Sequence, residues 1–388
     1  MNWLILIIAL CFTHKALAHG MAESEKTKQA SILRNVKYID TAISQLMKQY
    51  DVPGASISVV KDRKIFWSQS YGIKDANTQI KVNKQTMFQA ASISKPITAM
   101  ATLKLSKNNF ININQPVNKY LKSWEIPSNN HSDRSSVLVK QLLNHTSGLS
   151  VHGFAGYNSK EEIPSLIEVL NGSRYFQRLF GLKNVNSSPI EVKTPPGKEY
   201  KYSGGGYSVL QQVLVDVTGN DFEALMHNNI FSILEMSNST YQQPVTGKLT
   251  AQLASGHIDL DEAVDGNYHI YPEQAAAGLW TTSEDLAKVV IDLQKSLFDD
   301  SGLILNKSYA EKMTTPSFDT FLGLGFFLRN VSNQIDDFYF YHDGWNKGFS
   351  SSLLGHKDGY GIVILTNTNQ PSFNNEVMNL VLGRYGWL

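Results

Sequence analysis

The sequence predicts an α+β fold: an antiparallel sheet built from both ends of the chain and flanked by helices, with a mostly helical lobe inserted between. Three observations carry this. Two strand-like runs, Ala55 to Lys61 and Lys64 to Tyr71, follow an amphipathic helix near the start. Four more, Gly323 to Leu328, Phe338 to Tyr341, Gly348 to Leu354 and Tyr360 to Thr366, gather near the end. Helical spacing and loops dominate between them. At 388 residues the chain can bury one large core or two ordinary lobes. The expected division is an α/β lobe of about residues 31–95 and 276–388 and a helical lobe of about 96–275.

Residues Met1 to Ala18 have the pattern of a secretory signal peptide. An apolar stretch from Trp3 to Phe12 is followed by Ala16-Leu17-Ala18, a small-residue cleavage site before His19. No Lys or Arg precedes that stretch, which departs from the usual pattern. A membrane-spanning helix needs about 20 apolar residues. This stretch is shorter, so no stable membrane anchor is expected after cleavage. The single cysteine, Cys11, lies inside it, leaving residues 19–388 without a thiol for a disulfide, a metal site or nucleophilic attack. Export to a bacterial periplasm or the exterior is the expectation.

From Ser31 to Tyr50, the apolar residues Val36, Ile39, Ile43, Leu46, Met47 and Tyr50 recur at helical spacing. Val52-Pro53-Gly54 ends that helix, and the first two strands turn back at Asp62-Arg63. Next comes Gln89-Ala90-Ala91-Ser92-Ile93-Ser94-Lys95-Pro96, which runs into a helix carried inward by Ile97, Ala101 and Leu105. Pro96 falls in the first turn, where a missing backbone donor costs little. Helices are expected at Val117 to Leu121, Val137 to Leu143, Val209 to Val217 and Asp221 to Leu234. Ser283-Glu284-Asp285-Leu286 reads as a capped helix start, Lys357-Asp358-Gly359 as a hairpin turn, and Phe373 to Leu382 as a terminal helix.

The chemistry centres on Ser92 and Lys95. On a helix, positions i and i+3 share a face, so a hydroxyl and an amine there come within hydrogen-bond reach as nucleophile and proton acceptor. A second Ser-x-x-Lys, Ser58 to Lys61, lies in a buried strand, where these side chains point to opposite faces. The letters alone therefore decide nothing. Ser92 would sit at a helix N-terminus, where free NH groups favour developing negative charge. A free lysine has a pKa of about 10.4, so burial or a neighbouring charge must lower it for Lys95 to serve as a base.

Two further segments offer partners. Tyr202 precedes Gly204-Gly205-Gly206, and taken alone it reads equally as a structural tyrosine capping a glycine-rich turn. His342-Asp343-Gly344-Trp345 lies between two expected strands. A lone His beside an Asp is commonly a structural pair or an exposed loop residue. The two side chains would point apart on a strand, so they form no catalytic dyad, and His342 reads as a polar group facing the pocket.

In this order, the three segments resemble the serine hydrolases of the β-lactamase and penicillin-binding-protein superfamily, particularly the class C β-lactamase-like branch, from roughly Val52 to Thr368. Leu142-Leu143-Asn144-His145-Thr146-Ser147-Gly148-Leu149 and Ala276-Ala277-Gly278-Leu279-Trp280-Thr281-Thr282 are similar to two further segments of that family. The resemblance implies a β-lactamase/transpeptidase-like fold over residues 19–388. It implies that Ser92 is the acylated nucleophile, that Lys95 helps deprotonate it, and that Tyr202 shuttles the proton to the leaving group. His342-Asp343-Gly344 would match the Lys-Thr-Gly strand motif. The backbone NH groups of Ser92 and Trp345 would form the oxyanion hole.

One position departs from the pattern. Gly204 stands where the family usually has an asparagine that bonds the lysine and the substrate's amide. With His342 in place of a lysine, the usual cation for a substrate carboxylate is also missing. The expectation is a serine hydrolase cleaving a small-molecule ester, amide or peptide, closer to an esterase or D-peptidase than to an efficient β-lactamase. Gly204→Asn is expected to raise activity toward β-lactams or D-amino peptides relative to simple esters. The alternative is a noncatalytic penicillin-binding-like binding or scaffold protein.

Composition and motifs exclude other classes. With 35 basic and 34 acidic residues there is no charge imbalance to attract nucleic acid or an anionic membrane. No Gly-x-Ser-x-Gly elbow, His-Glu-x-x-His helix or phosphate-cradling glycine loop occurs, so the sequence calls for no metal or organic cofactor.

Overall fold

The computed structural model describes residues 35–387 except 134, 174–176, 178–180, 182–184, 320 and 332–336. The expected signal peptide and Cys11 lie outside the described residues.

The chain opens with α1 (35–49). Strands β1 (Gly54–Lys61) and β2 (Lys64–Gly72) follow, then β3 (Phe88–Gln89), a 3-10 turn at Ala91–Ile93 and α2 (Ser94–Lys107). The inserted region holds α3 (Val139–Leu143), β4 (Tyr157–Asn158), α4 (Leu166–Asn171), α5 (Gly204–Thr218) and α6 (Phe222–Met226). It continues through β5 (His257–Asp259), β6 (Glu262–Ala263), β7 (His269–Ile270) and α7 (Gln274–Ala277). After β8 (Trp280–Thr281), α8 (Ser283–Asp299) and α9 (Lys307–Thr314), the sheet resumes with β9 (Phe327–Asn330), β10 (Phe338–Asn346), β11 (Phe349–His356) and β12 (Gly361–Thr366). Helix α10 (Pro371–Tyr385) ends the chain.

Two compact units result, one reaching to Tyr50 and resuming at Asn375, the other Asp51–Asn374. In the first, Ile39 and Ile43 are fully buried, as the helical spacing of α1 requires. Arg384 of α10 donates to Asn35 Oδ1 from Nε at 3.0 Å and Nη2 at 2.6 Å.

The larger unit contains the sheet that both chain ends were expected to build. Its order is β2-β1-β12-β11-β10-β9, with antiparallel pairing throughout. Asp62 and Arg63 close the first hairpin at φ of 53° and 57°, the left-handed pair of a type I′ turn. Strands β11 and β12 are buried along their whole length, consistent with their apolar runs. Helix α8 packs across β1 and β12. Its Leu286, Val289, Val290 and Leu293 are buried, each contributing about 1.5–3 kcal/mol. The second Ser-x-x-Lys is spent in this packing: Ser58 Oγ lies 2.8 Å from Ser283 Oγ and 3.0 Å from Ser68 Oγ.

Several elements differ from expectation. Strand β10 runs on to Asn346, so the His342 segment is strand and not loop. Burial alternates there, with His342, Gly344 and Asn346 buried and Asp343 and Trp345 exposed. The cap of α8 is Thr282, whose side chain accepts from Asp285 N; Ser283 is the first helical residue and is committed to the sheet. The stretch from Asp221 breaks into α6 and a π-helical turn, His227–Phe231. Val117–Lys119 is only a 3-10 turn, and β9 begins later than expected, at Phe327. The inserted region is also less helical than its spacing suggests, since β4–β7 and β5–β6 form two small ribbons within it, while β3–β8 pairs its two flanks.

Candidate active site

The Ser92 segment is held from two sides. Ala90 N donates to Leu279 O at 2.8 Å, continuing the β3–β8 pairing. Ala91 then takes φ +49°, the left-handed region that a residue with a Cβ enters at a cost. That reversal leads into the 3-10 turn and α2. Ser94 anchors it by donating to Ala91 O at 2.6 Å and accepting from Leu279 N at 3.0 Å. Ser92 is half-buried while Ala91, Ile93, Ser94 and Lys95 are buried, so its hydroxyl is the accessible polar group of the turn.

Lys95 lies one turn on, as the helical reading requires. Its Nζ donates to Ser92 Oγ at 3.0 Å and to Ala276 O at 2.7 Å. The side chain is almost fully buried, and burial lowers its pKa from 10.5 to about 7. Its Nζ sits 5.0 Å from the ring centre of Tyr202 and 5.9 Å from that of Tyr207, a low-dielectric surround that disfavours the ammonium.

Tyr202 stands just before the N-terminus of α5, where Ser203 caps the helix by accepting from Gly206 N at 2.8 Å. Burial raises the pKa of the phenol, and the nearby Ser92 hydroxyl opposes that shift without outweighing it, so the phenol remains protonated. Two histidines flank the ring, His145 at 4.2 Å and His152 at 4.8 Å between centroids. His145 Nδ1 accepts from Ser203 N at 3.1 Å, and burial depresses its pKa well below 6.5, keeping it neutral.

Strand β10 forms the opposite wall. Its pairing with β9 ends at Tyr341, and Gly344 lies against Ala90 and Ala91. His342 is buried with its ring centre 6.3 Å from that of Tyr202. Its Nδ1 donates to Asp343 O at 2.6 Å, leaving Nε2 buried without a partner. Burial first and the nearby Lys95 second lower its pKa to about 3, so it carries no charge at neutral pH. The side chain of Trp345 is 73% exposed at the rim.

Ser92, Lys95, Tyr202, His342 and Gly344 therefore converge, and Gly204 lies against residues 152–154. A Cβ at Gly204 would meet His152 O at 3.0 Å and the Phe154 ring at 3.1 Å. The space beside it is occupied by residues 152–154.

Sequence reasoning passed over the residues that brace the cluster. Asn346 Nδ2 donates to Gln89 Oε1 at 2.8 Å and Ala277 O at 3.1 Å, tying β10 to β3 and to the segment whose Ala276 carbonyl accepts a hydrogen bond from Lys95. Alternation along β10 could have marked Asn346 as inward-facing had the strand been extended. His152 carried no signal beyond a His-Gly pair. Among the described residues, Asp337, His356 and Asp358 form one His and carboxylate group. His356 Nε2 donates to Asp337 at 2.8 Å and its Nδ1 accepts from Asp358 N at 3.2 Å, so both ring nitrogens are engaged.

Comparison with known proteins fits this arrangement. The family model described as Beta-lactamase matches residues 39–383. Protein flp of Staphylococcus aureus (strain NCTC 8325 / PS 47) is 27% identical over 345 residues, covering 85% of this chain and 63% of that protein. This chain thus spans less than two thirds of that relative. Among solved structures, the octameric penicillin-binding protein homologue from Pyrococcus abyssi superposes with TM-score 0.69 at 22% identity, covering 90% of this chain and 77% of the other. The D-alanine carboxypeptidase AmpC from Burkholderia cenocepacia gives 0.68 at 21% identity, covering 90% and 99%. These two share the fold, a β-lactamase/transpeptidase architecture. With the family model spanning most of its length and the Ser, Lys and Tyr segments converging on one site, the chain belongs to the Beta-lactamase family of serine-hydrolase-type proteins.

Proposed function

We propose that this protein hydrolyses an ester or amide through an acyl-enzyme on Ser92, acting as an esterase or D-peptidase-like enzyme. The observation that carries this is Lys95 Nζ at 3.0 Å from Ser92 Oγ, with burial bringing the amine to about 7. Neutral Lys95 takes the Ser92 proton as Oγ attacks the substrate carbonyl. Tyr202, held as a phenol, gives a proton to the leaving oxygen or nitrogen and is resupplied from Lys95, whose Nζ lies 5.0 Å from its ring centre. The backbone NH groups of Ser92 and Trp345 receive the oxyanion, each worth about 3–4 kcal/mol. Water then attacks the acyl-enzyme carbonyl and restores Ser92.

The neutral His342 supports an uncharged acyl donor over a carboxylate-bearing β-lactam, because it offers no cation at the position of the family lysine. Export to a bacterial periplasm or exterior is part of the same proposal, resting on Met1 to Ala18.

Labelling with a fluorophosphonate probe tests the mechanism. Wild type should gain one adduct by intact mass and turn over a short p-nitrophenyl ester, and Ser92→Ala should do neither. A wild type that stays unlabelled would identify a noncatalytic scaffold. An N-terminus at His19 in protein from the host periplasm or medium would support export.

A further inference from the structure

We infer that His152 is a specificity-determining residue that selects acyl groups carrying an amide, an inference that rests on the hydrolase reading above. Three observations lead to it.

First, residues 150–152 are stitched to the turn that carries Tyr202. Gly204 N donates to His152 O at 2.9 Å, Gly205 N to Val151 O at 3.0 Å, and Ser203 Oγ to Ser150 O at 3.0 Å. Val151 adopts φ +65°, a conformation that a β-branched residue takes only when its surroundings impose it. The backbone path that brings His152 to the site is thus fixed at the expense of strain.

Second, this path delivers an imidazole to Tyr202 and fills the space next to Gly204. The exposed His152 ring lies 4.8 Å from the Tyr202 ring, and Phe154 packs where a side chain at position 204 would begin. Among the described residues, neither ring nitrogen of His152 has a hydrogen-bond partner. A neutral imidazole offers one donor and one acceptor, the complement of an amide carbonyl and NH.

Third, His152 is shared with a neighbouring cavity of about 770 Å³. Asn186, Ser187, Ser188 and the ion pair of Lys193 with Glu191, at 2.6 Å, line it alongside Phe154. Such a lining suits a hydrogen-bonding, peptide-like extension of the acyl group better than a hydrocarbon chain.

Two p-nitrophenyl esters isolate the effect: N-acetylglycinate, which carries one acyl-side amide, and pentanoate, of the same backbone length. After correction for their hydroxide-catalysed rates, wild type should favour N-acetylglycinate in kcat/KM. His152→Ala should lower that ratio about tenfold, chiefly through KM for the amide substrate. His152→Gln, which keeps a donor and an acceptor, should retain most of the ratio. A ratio that stays within twofold of wild type in His152→Ala, with Ser92 still labelled by fluorophosphonate, overturns the inference and leaves the hydrolase reading standing. Absence of Ser92 labelling in wild type overturns both.

Discussion

Gly344 and Ala90 are in backbone contact: a Cβ added to Gly344 would lie 2.3 Å from Ala90 O. The same carbonyl accepts from Ser351 Oγ at 2.7 Å, so β10, β11 and the nucleophile turn are locked in one arrangement. That contact sets the spacing between Ser92 and Trp345. Gly344→Ala should push the turn away from β10. Misplacement on the order of 1 Å is enough to lower catalysis about a hundredfold, and the overpacking should cost about 1–3 kcal/mol of stability. Fluorophosphonate labelling rate and thermal unfolding measured together would check this. A Gly344→Ala protein with wild-type labelling would show that the contact yields without moving Ser92.

Lys95 should impose a pH dependence on acylation. Only its neutral form accepts the Ser92 proton, so kcat/KM should rise with pH through an apparent pKa near 7. His342, already neutral above a pKa of about 3, should add no limb between pH 5 and 9. Lys95→Met should remove the limb and slow acylation roughly 10²- to 10⁴-fold. A flat wild-type profile from pH 5 to 9 would assign the base elsewhere.

Glu273 is fully buried, and neither carboxylate oxygen has a hydrogen-bond partner. Burial raises its pKa from 4.5 to about 8, so it folds as the neutral acid. The folded state then holds a proton that the unfolded chain releases above pH 4.5. The stability contributed is fully present below pH 4.5 and is lost as pH rises toward 8, at up to about 1.4 kcal/mol per pH unit. Glu273→Gln should flatten that slope and be more stable than wild type at pH 8.5, as read by urea unfolding at pH 5 and 8.5. Parallel curves for the two proteins would contradict the assignment.

Gly204→Asn now carries the opposite expectation from the sequence. The new side chain must displace His152 O and the Phe154 ring, so the variant should lose about 1–2 kcal/mol and gain nothing toward nitrocefin relative to a simple ester. Adding Phe154→Ala should recover part of the stability. A selective rise in nitrocefin turnover by the single variant would mean that residues 152–154 move aside freely.

Much of the site was legible in the sequence because its signals are local. Ser92 and Lys95 meet through helical spacing, a relation fixed by 3.6 residues per turn. His342 and Asp343 diverge through strand alternation, as expected from a period of two. The glycines at 204–206 marked the entry to α5, and Asp62-Arg63 marked the first hairpin. Less legible were element ends: the alternation on β10 continues to Asn346, but the Gly-Trp pair within it resembles a loop. The cap of α8 is similar, since Thr282 and Ser283 are equally good caps by type and only the bonds of Ser283 to Ser56 and Ser58 decide between them.

By itself, the sequence determined the order of the elements, the sheet drawn from both chain ends and the pairing of a hydroxyl with an amine on one helical turn. Tertiary structure decided what those groups are able to do. Lys95 is brought to about 7 because α2 is buried against α7 and the tyrosines. Gly204 faces residues 152–154 because three backbone and side-chain bonds stitch residues 150–152 to the Tyr202 turn. Burial and contact across more than fifty residues of chain depend on packing, and packing leaves no periodic trace in the sequence.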